Sequence, residues 1–311
     1  MLGSELAEKP KRVEMTSPFI VGAYASLPEP DRHREYYELL QSKEWIDGLE
    51  IPFPGQIATE ADKFASYLAE NWIFNAITAI PGTMQNVGKN PAFGLASPDS
   101  ESRRAALNFA EQIRSAVAAL ADATGREVIS KVQLHTAPPE IASADSFRAS
   151  LEELLAKDWC GASIAVEHCD KFVDGQKPEK GFLPIEQEIE ICHELGVGMA
   201  INWGRSAIEG RSSRTAFEHI QQCEQAGVLA GVIFSGAGPE ETQFGYPWVD
   251  GHLPSAMDEP ASLLDAAEIR RCAEVAEGAE YLGAKICVPA SAGLEERLAM
   301  LENIYAAARG E

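Results

Sequence analysis

The feature that most constrains this chain is a repeat. Short β-rich apolar runs alternate with helical patterns from end to end. The runs are Phe19 to Tyr24, Ile46 to Ile51, Trp72 to Ile80 and Val128 to His135, then Cys160 to His168, Val197 to Trp203, Val228 to Ser235 and Tyr281 to Val288. Several are almost continuously apolar, as parallel strands covered on both faces must be. Between them, Phe109, Ile113, Val117 and Leu120 recur at helical spacing, as do Ile185, Ile189 and Leu195, and Leu294, Leu298 and Leu301. Start signals agree: Asp99-Ser100 precedes Glu101, and Ser262 precedes Leu263-Leu264. Gly125, Gly196 and Gly227 follow helix ends, where a left-handed cap favours glycine.

Eight βα units without a break in composition predict a single (β/α)8 TIM barrel domain over residues 17–311. An open doubly wound sheet is the competitor. No GxGxxG turn follows the first strand, and Gly22 stands alone there. Residues 1–16 read as a disordered tail, because Met1 to Glu14 mix charges without an apolar segment. Most strands begin roughly thirty residues after the previous one, as a βα unit requires. Two intervals are far longer and enclose Pro81–Asp99 after strand three and Gly236–Ala261 after strand seven. Both lie on the C-terminal face, where barrel sites form, so they are expected to be lids or binding loops.

Charge excludes some partners. The 311 residues hold 48 Asp and Glu against 26 Lys and Arg, a net charge of −22. Such a chain repels nucleic-acid phosphates and anionic membrane surfaces. No apolar stretch is long enough to span a bilayer. The six cysteines contain no CxxC pair and read as buried or half-buried thiols of a reducing cytoplasm. Barrel helices often support homodimers, though no helix announces an interface.

Chemistry should reside at C-terminal strand ends. There the sequence places Glu50 before Ile51-Pro52, His135 after Leu134, Glu167 before His168, Asn202-Trp203-Gly204-Arg205, Ser235-Gly236, and Lys285 before Ile286. Glu50, Glu167 and His135 are the expected acid/base group, since burial and like-charge proximity split carboxylate pKa values. His168, the strand neighbour of Glu167, is expected to point away from the cavity. Asn202, Trp203, Arg205, Ser235, Trp248 and Lys285 are the expected substrate-binding residues. Aromatic rings among turn residues, as in Phe244-Gly245-Tyr246-Pro247-Trp248, suit stacking on a sugar face. Arg205, Arg211 and Arg214 form a loop cluster, and Arg205 is best placed to grip an anionic or hydroxylated end. A divalent ion, if bound, would draw on Glu167, His135, Asp250 and His252.

Glu50-Ile51-Pro52 after strand two, His135 after strand four and Glu167 after strand five resemble the xylose-isomerase-like TIM barrels. The resemblance covers residues 17–308, and it is closest to an uncharacterised bacterial family within that superfamily. It implies a cytoplasmic sugar isomerase or epimerase that moves a proton next to a carbonyl. Its alternatives are a sugar-acid dehydratase or lyase, or a non-catalytic sugar-binding barrel. It also implies a divalent metal, Mn, Mg or Zn, held by Glu, Asp, His and Glu on strands five to eight. Glu167 matches the first ligand. Asn202, Ser235 and Lys285 stand where the other three belong.

Overall fold

A computed structural model describes residues 17–311. The expected tail, residues 1–16, lies outside the described residues. Eight parallel strands close into a barrel in sequence order: β1 (Phe19–Val21), β2 (Gly48–Pro52), β3 (Asn75–Thr78), β4 (Ile129–Leu134), β5 (Ser163–His168), β6 (Gly198–Asn202), β7 (Leu229–Phe234) and β8 (Tyr281–Ala284). The last strand pairs with the first through Ile20↔Gly283 and Val21↔Ala284. The fold is therefore a (β/α)8 TIM barrel with helices between the strands. The strands are shorter than the apolar runs that announced them, because the run ends cap helices or enter turns.

Side-chain alternation sorts each strand into two layers. Ile20, Ala76, Ala200, Ile233 and Tyr281 point inward and form a separate cluster that plugs the barrel. Their neighbours, such as Val21, Ile77, Ile201 and Phe234, face the helices and join the main core. Helix Ser100–Thr124 shows how the outer layer is made. Asp99 accepts the Ser102 amide at its start, and Gly125 caps its end at φ 69°. Phe109, Ile113, Val117 and Leu120 are all buried on one stripe. Burying four such side chains contributes on the order of 6–12 kcal/mol.

Three local expectations change. The segment after β3 is half helical, since Ile80–Lys89 forms a helix with Pro81 in its first turn. The helix expected from Ser262 starts at Ala266 instead, where Asp265 accepts the Glu268 amide. Arg205 lies in a helix, Trp203–Gly210, rather than a loop. A third long connection, Cys169–Pro184 after β5, also reaches the C-terminal face. All six cysteines are free thiols, four buried and two half-buried. Among the described residues, no helix is long and apolar enough to cross a membrane.

Candidate active site at the barrel mouth

Counting by twos along the strands builds the site. Residues two places beyond Ile20, Ala76, Ala200 and Ile233, and four places beyond Tyr281, are again inward and higher in the barrel. That register delivers Gly22, Glu50, Thr78, His135, Glu167, Asn202, Ser235 and Lys285 to one ring at the C-terminal mouth. Every one of them is buried. Gly22 is the ring's small member for a steric reason. A Cβ there would lie 2.8–3.1 Å from three carbons of the Lys285 side chain.

Charges meet directly in this ring. Lys285 Nζ lies 2.8 Å from Glu50 Oε2 and 3.8 Å from Glu167 Oε1. Arg205 Nη1 lies 2.6 Å from Glu167 Oε1, and its Nε donates to Asp250 Oδ2 at 3.1 Å. Glu167 Oε2 accepts from Thr78 Oγ1 at 2.9 Å and meets His135 Nε2 at 2.6 Å. Tyr24 donates to Glu50 Oε2 at 3.3 Å. Lys180 donates to Asp250 Oδ2 at 2.9 Å. Three carboxylates, Glu50, Glu167 and Asp250, thus face three cations, Lys180, Arg205 and Lys285.

The two strand-end glutamates are driven apart electrostatically. Burial raises the Glu50 pKa, and the nearby Glu167 charge adds to the rise, beyond what Lys285 offsets. Burial also works against ionised Glu167, but Arg205 and then Lys285 overcome it and hold that carboxyl well below the usual range. Burial pushes His135 down, against the pull of Glu167, so the imidazole is neutral at pH 7. Ionised Glu167 accepts only, so neutral His135 places its proton on Nε2 and presents Nδ1 as an acceptor.

Several buried polar atoms of the ring have no hydrogen-bond partner. They are the acceptors Glu50 Oε1, Glu167 Oε1 and His135 Nδ1, and the donors Asn202 Nδ2, Arg205 Nη1 and Lys285 Nζ. For Arg205 and Lys285 the short contacts are charge contacts without hydrogen-bond alignment. Buried polar atoms are nearly always paired, so a cluster of unpaired ones marks a place for a polar guest.

Two long connections cover the mouth and lock to each other. Besides Lys180–Asp250, Tyr246 Oη donates to Glu179 Oε1 at 2.6 Å, and the Asp250 amide donates to Glu179 Oε2 at 3.2 Å. His252 Nδ1 meets Ser235 Oγ at 2.7 Å. An open groove of about 600 Å³ runs beside this cover, lined by Leu27, Phe244, Gly251, Cys287, Val288 and Arg297.

The structure brings Glu50, His135, Glu167, Asn202, Arg205, Ser235 and Lys285 together. It separates two expected binding residues from them. Trp203 is fully buried in the layer between strands and helices, because it follows inward Asn202 by one residue. Trp248, at φ 63°, stacks under the Arg211 guanidinium at 5.2 Å instead of lining the ring. Arg214 pairs with Glu218 on the surface. His168 does turn away from the mouth, towards Glu188 and Glu209. Thr78, Tyr24 and Lys180 escaped the sequence reading. Thr78 was legible, since it shares the parity of Ala76 on β3. Tyr24 and Lys180 lie in connections where no periodicity places a side chain.

The residues at the mouth do not fit the divalent metal that the family resemblance implies. Glu167 Oε2 is taken by Thr78 and His135, its Oε1 faces the Arg205 and Lys285 cations where a metal cation would have to sit, Asn202 Oδ1 caps its own helix by accepting the Arg205 amide, and Ser235 is tied to His252. Arg205 and Lys285 supply positive charge at that place, and the six charges already balance. Glu167, His135, Asp250 and His252 do not converge as a ligand set either. Asp250 Oδ2 is taken by Arg205 and Lys180, and His252 Nδ1, 3.4 Å from Asp250 Oδ1, meets Ser235 at 2.7 Å, so these two form a pair apart from Glu167 and His135.

This (β/α)8 barrel shares its fold with solved proteins of the xylose-isomerase-like kind. A putative xylose isomerase from Rhodospirillum rubrum superposes with a TM-score of 0.63 at 13% identity, over 94% of this chain and 99% of that one. D-Psicose 3-epimerase of Clostridium cellulolyticum, solved with D-tagatose, gives 0.52 at 14% identity, over 94% and 97%. Within that fold the chain belongs to the family described as domain of unknown function DUF4862, which matches residues 20–300. The uncharacterized protein STM3670 of Salmonella typhimurium is 32% identical over 299 residues, 92% of this chain and 94% of that one.

Proposed function

We propose that this protein is a sugar or sugar-acid isomerase or epimerase that moves a proton next to a carbonyl without a metal at the mouth. The observation that carries the reading is the ring of unpaired buried donors and acceptors around two glutamates of opposite pKa shift. A polyol hydroxyl both donates and accepts, so it matches an interleaved set of this kind.

Glu50 is the proton carrier. Its Oε2 is held by Lys285 and Tyr24, which leaves Oε1 to face the substrate. Its raised pKa suits proton exchange nearer neutrality than an ordinary glutamate. Oε1 takes the proton from the carbon beside the carbonyl, and the freed electron pair moves onto the carbonyl oxygen. Lys285 Nζ and Arg205 Nη1 stabilise that oxygen as it becomes negative. Return of the proton to the former carbonyl carbon, with the hydroxyl proton passing to the former carbonyl oxygen, isomerises the substrate; protonation of the original carbon on its opposite face, by a donor other than Glu50, epimerises it. Glu167, ionised and held by four partners, acts as an anchor for Arg205, Lys285 and His135 rather than as a second base. His135 Nδ1 and Asn202 Nδ2 orient hydroxyls. The lid formed by Cys169–Pro184 and the connection after β7 must part for entry, then close to exclude water.

Proton NMR of pentoses, hexoses and their acids incubated with the enzyme tests the reading. Interconversion at constant mass is expected, and Glu50→Gln is expected to abolish it while remaining folded. Loss of water from the substrate, or full turnover by the folded Glu50→Gln protein, would overturn it.

A further inference from the structure

Behind the mouth, on the helix side of β5, lies a second cluster of chemistry-bearing side chains that the proposed reaction does not use. His168, Glu209 and His219 are all buried, and one ligand atom from each lies within 4.8 Å of the other two. We propose that these three residues bind a zinc-class divalent cation, at a site separate from the barrel mouth and independent of the function proposed for it.

The distances favour coordination over hydrogen bonding. His168 Nε2 lies 3.3 Å from Glu209 Oε2, and His219 Nε2 lies 3.5 Å from Glu209 Oε1. A charge-assisted N–H···O contact closes to about 2.7–2.9 Å. The opposite side of the same His168 ring does close, with Nδ1 at 2.6 Å from Glu188 Oε2. Two ligands bound at about 2.0–2.1 Å in a tetrahedron stand about 3.4 Å apart, the spacing of each imidazole from its nearer Glu209 oxygen, Oε2 for His168 and Oε1 for His219.

The surrounding groups orient both rings. Glu188 holds His168 Nδ1, and Thr136 donates to the other Glu188 oxygen. Ser206 Oγ holds His219 Nδ1 at 3.0 Å. Both Nε2 atoms are thereby aimed at Glu209. A carboxylate behind a ligating imidazole is the arrangement that fixes ring orientation and raises ligand basicity at zinc sites. The two rings meet edge to face at 5.0 Å, so they approach the shared point from different directions.

The remaining neighbour is Lys171. Its amide donates to Glu209 Oε2 at 2.9 Å, and its Nζ sits 3.2 Å from Glu209 Oε1. That side chain is 30% exposed, so its ammonium can swing into solvent and leave a fourth position for water. Coordination requires the neutral imidazole, so binding expels the proton shared by His168 and its carboxylates. Two imidazoles and one carboxylate suit zinc, and they also accept other late first-row ions. The metal would cross-link the end of β5 to helices Trp203–Gly210 and Ser213–Gln225, directly behind Glu167.

The test is calorimetric titration of chelator-dialysed protein with Zn2+, for wild type, His219→Gln and Glu167→Gln. One zinc per chain is expected, weakened more than about 100-fold by H219Q and unchanged by E167Q, since loss of an orienting partner alone costs about 10–100-fold. No saturable binding to folded wild type would overturn the proposal. So would wild-type affinity in H219Q, or loss in E167Q with retention in H219Q, which would put the ion at the mouth. Co2+ loaded into wild type gives a readout that needs no variant to fold. Intense visible absorption of a four-coordinate ion is expected, and the weak spectrum of a six-coordinate ion would contradict the site.

Discussion

Lys285→Met probes the ring most severely. Lys285 and Glu50 are both fully buried at a separation of 2.8 Å, with Glu167 Oε1 3.8 Å away. Methionine keeps the length of the stem against Gly22 but removes the cation. Two buried carboxylates are then left with one fewer positive neighbour. Breaking a buried pair by removing one partner costs about 3–5 kcal/mol, because the surviving charge stays desolvated. For a domain of this size that corresponds to a fall in Tm of roughly 5–8 °C. The double variant E50Q/K285M removes the stranded carboxylate as well, and most of the loss should return, since a neutral pair of similar volume is often tolerated. Chemical and thermal unfolding followed by circular dichroism of the four proteins closes the cycle. A K285M change under about 1 kcal/mol, or single losses that simply add in the double variant, would refute a dry, coupled Lys285–Glu50 pair.

Other consequences follow from the same geometry. Gly22→Ala places a methyl against the Lys285 stem and should cost about 1–3 kcal/mol together with most of the turnover; unchanged kcat would show that the stem has room. Lys180→Met unlatches the lid from Asp250, and faster amide hydrogen exchange over 170–184 and 236–265 is expected, with exchange no faster than wild type counting against a latch. His252 has its pKa lowered by burial to about 3, so the unfolded chain binds a proton that the fold refuses. Stability from this group is complete above the unfolded value near pH 6.5 and declines as pH falls towards 3. His252→Gln should flatten that decline in urea titrations at several pH values, and an unaltered slope would refute the assignment. Arg205→Lys keeps the charge but not the fork between Glu167 and Asp250, and should lower kcat/KM at least about tenfold; a wild-type value would mean that charge alone suffices.

The barrel was legible because period-two strands and period-3.6 helices leave different apolar spacings, and eight alternations leave little else to build. The mouth was legible for a related reason. A strand-end residue of known parity must point inward, so Glu50, His135, Glu167, Asn202, Ser235 and Lys285 could be placed from position alone. The same rule, applied strictly, excludes Trp203, which is one residue out of phase with Asn202. Where backbone leaves the strand the rule fails. Trp248 turned to Arg211, and Lys180 came from a connection whose course depends on Glu179, Tyr246 and Asp250 meeting across 67 or more residues of sequence. The roles of the two glutamates were illegible too. Their strand positions give no sign of the opposite pKa shifts, because only Arg205, folding back from the first turn of its helix, holds Glu167 below the usual carboxylate range.

The central claim is proton transfer by Glu50 without metal at the mouth. Incubation of chelator-treated enzyme with ketoses and aldoses in D2O, followed by NMR at the carbon beside the carbonyl, measures it directly. Deuterium should enter that position with wild type in the presence of chelator, and not with folded E50Q. Exchange that requires added metal, or that proceeds equally in E50Q, would contradict it.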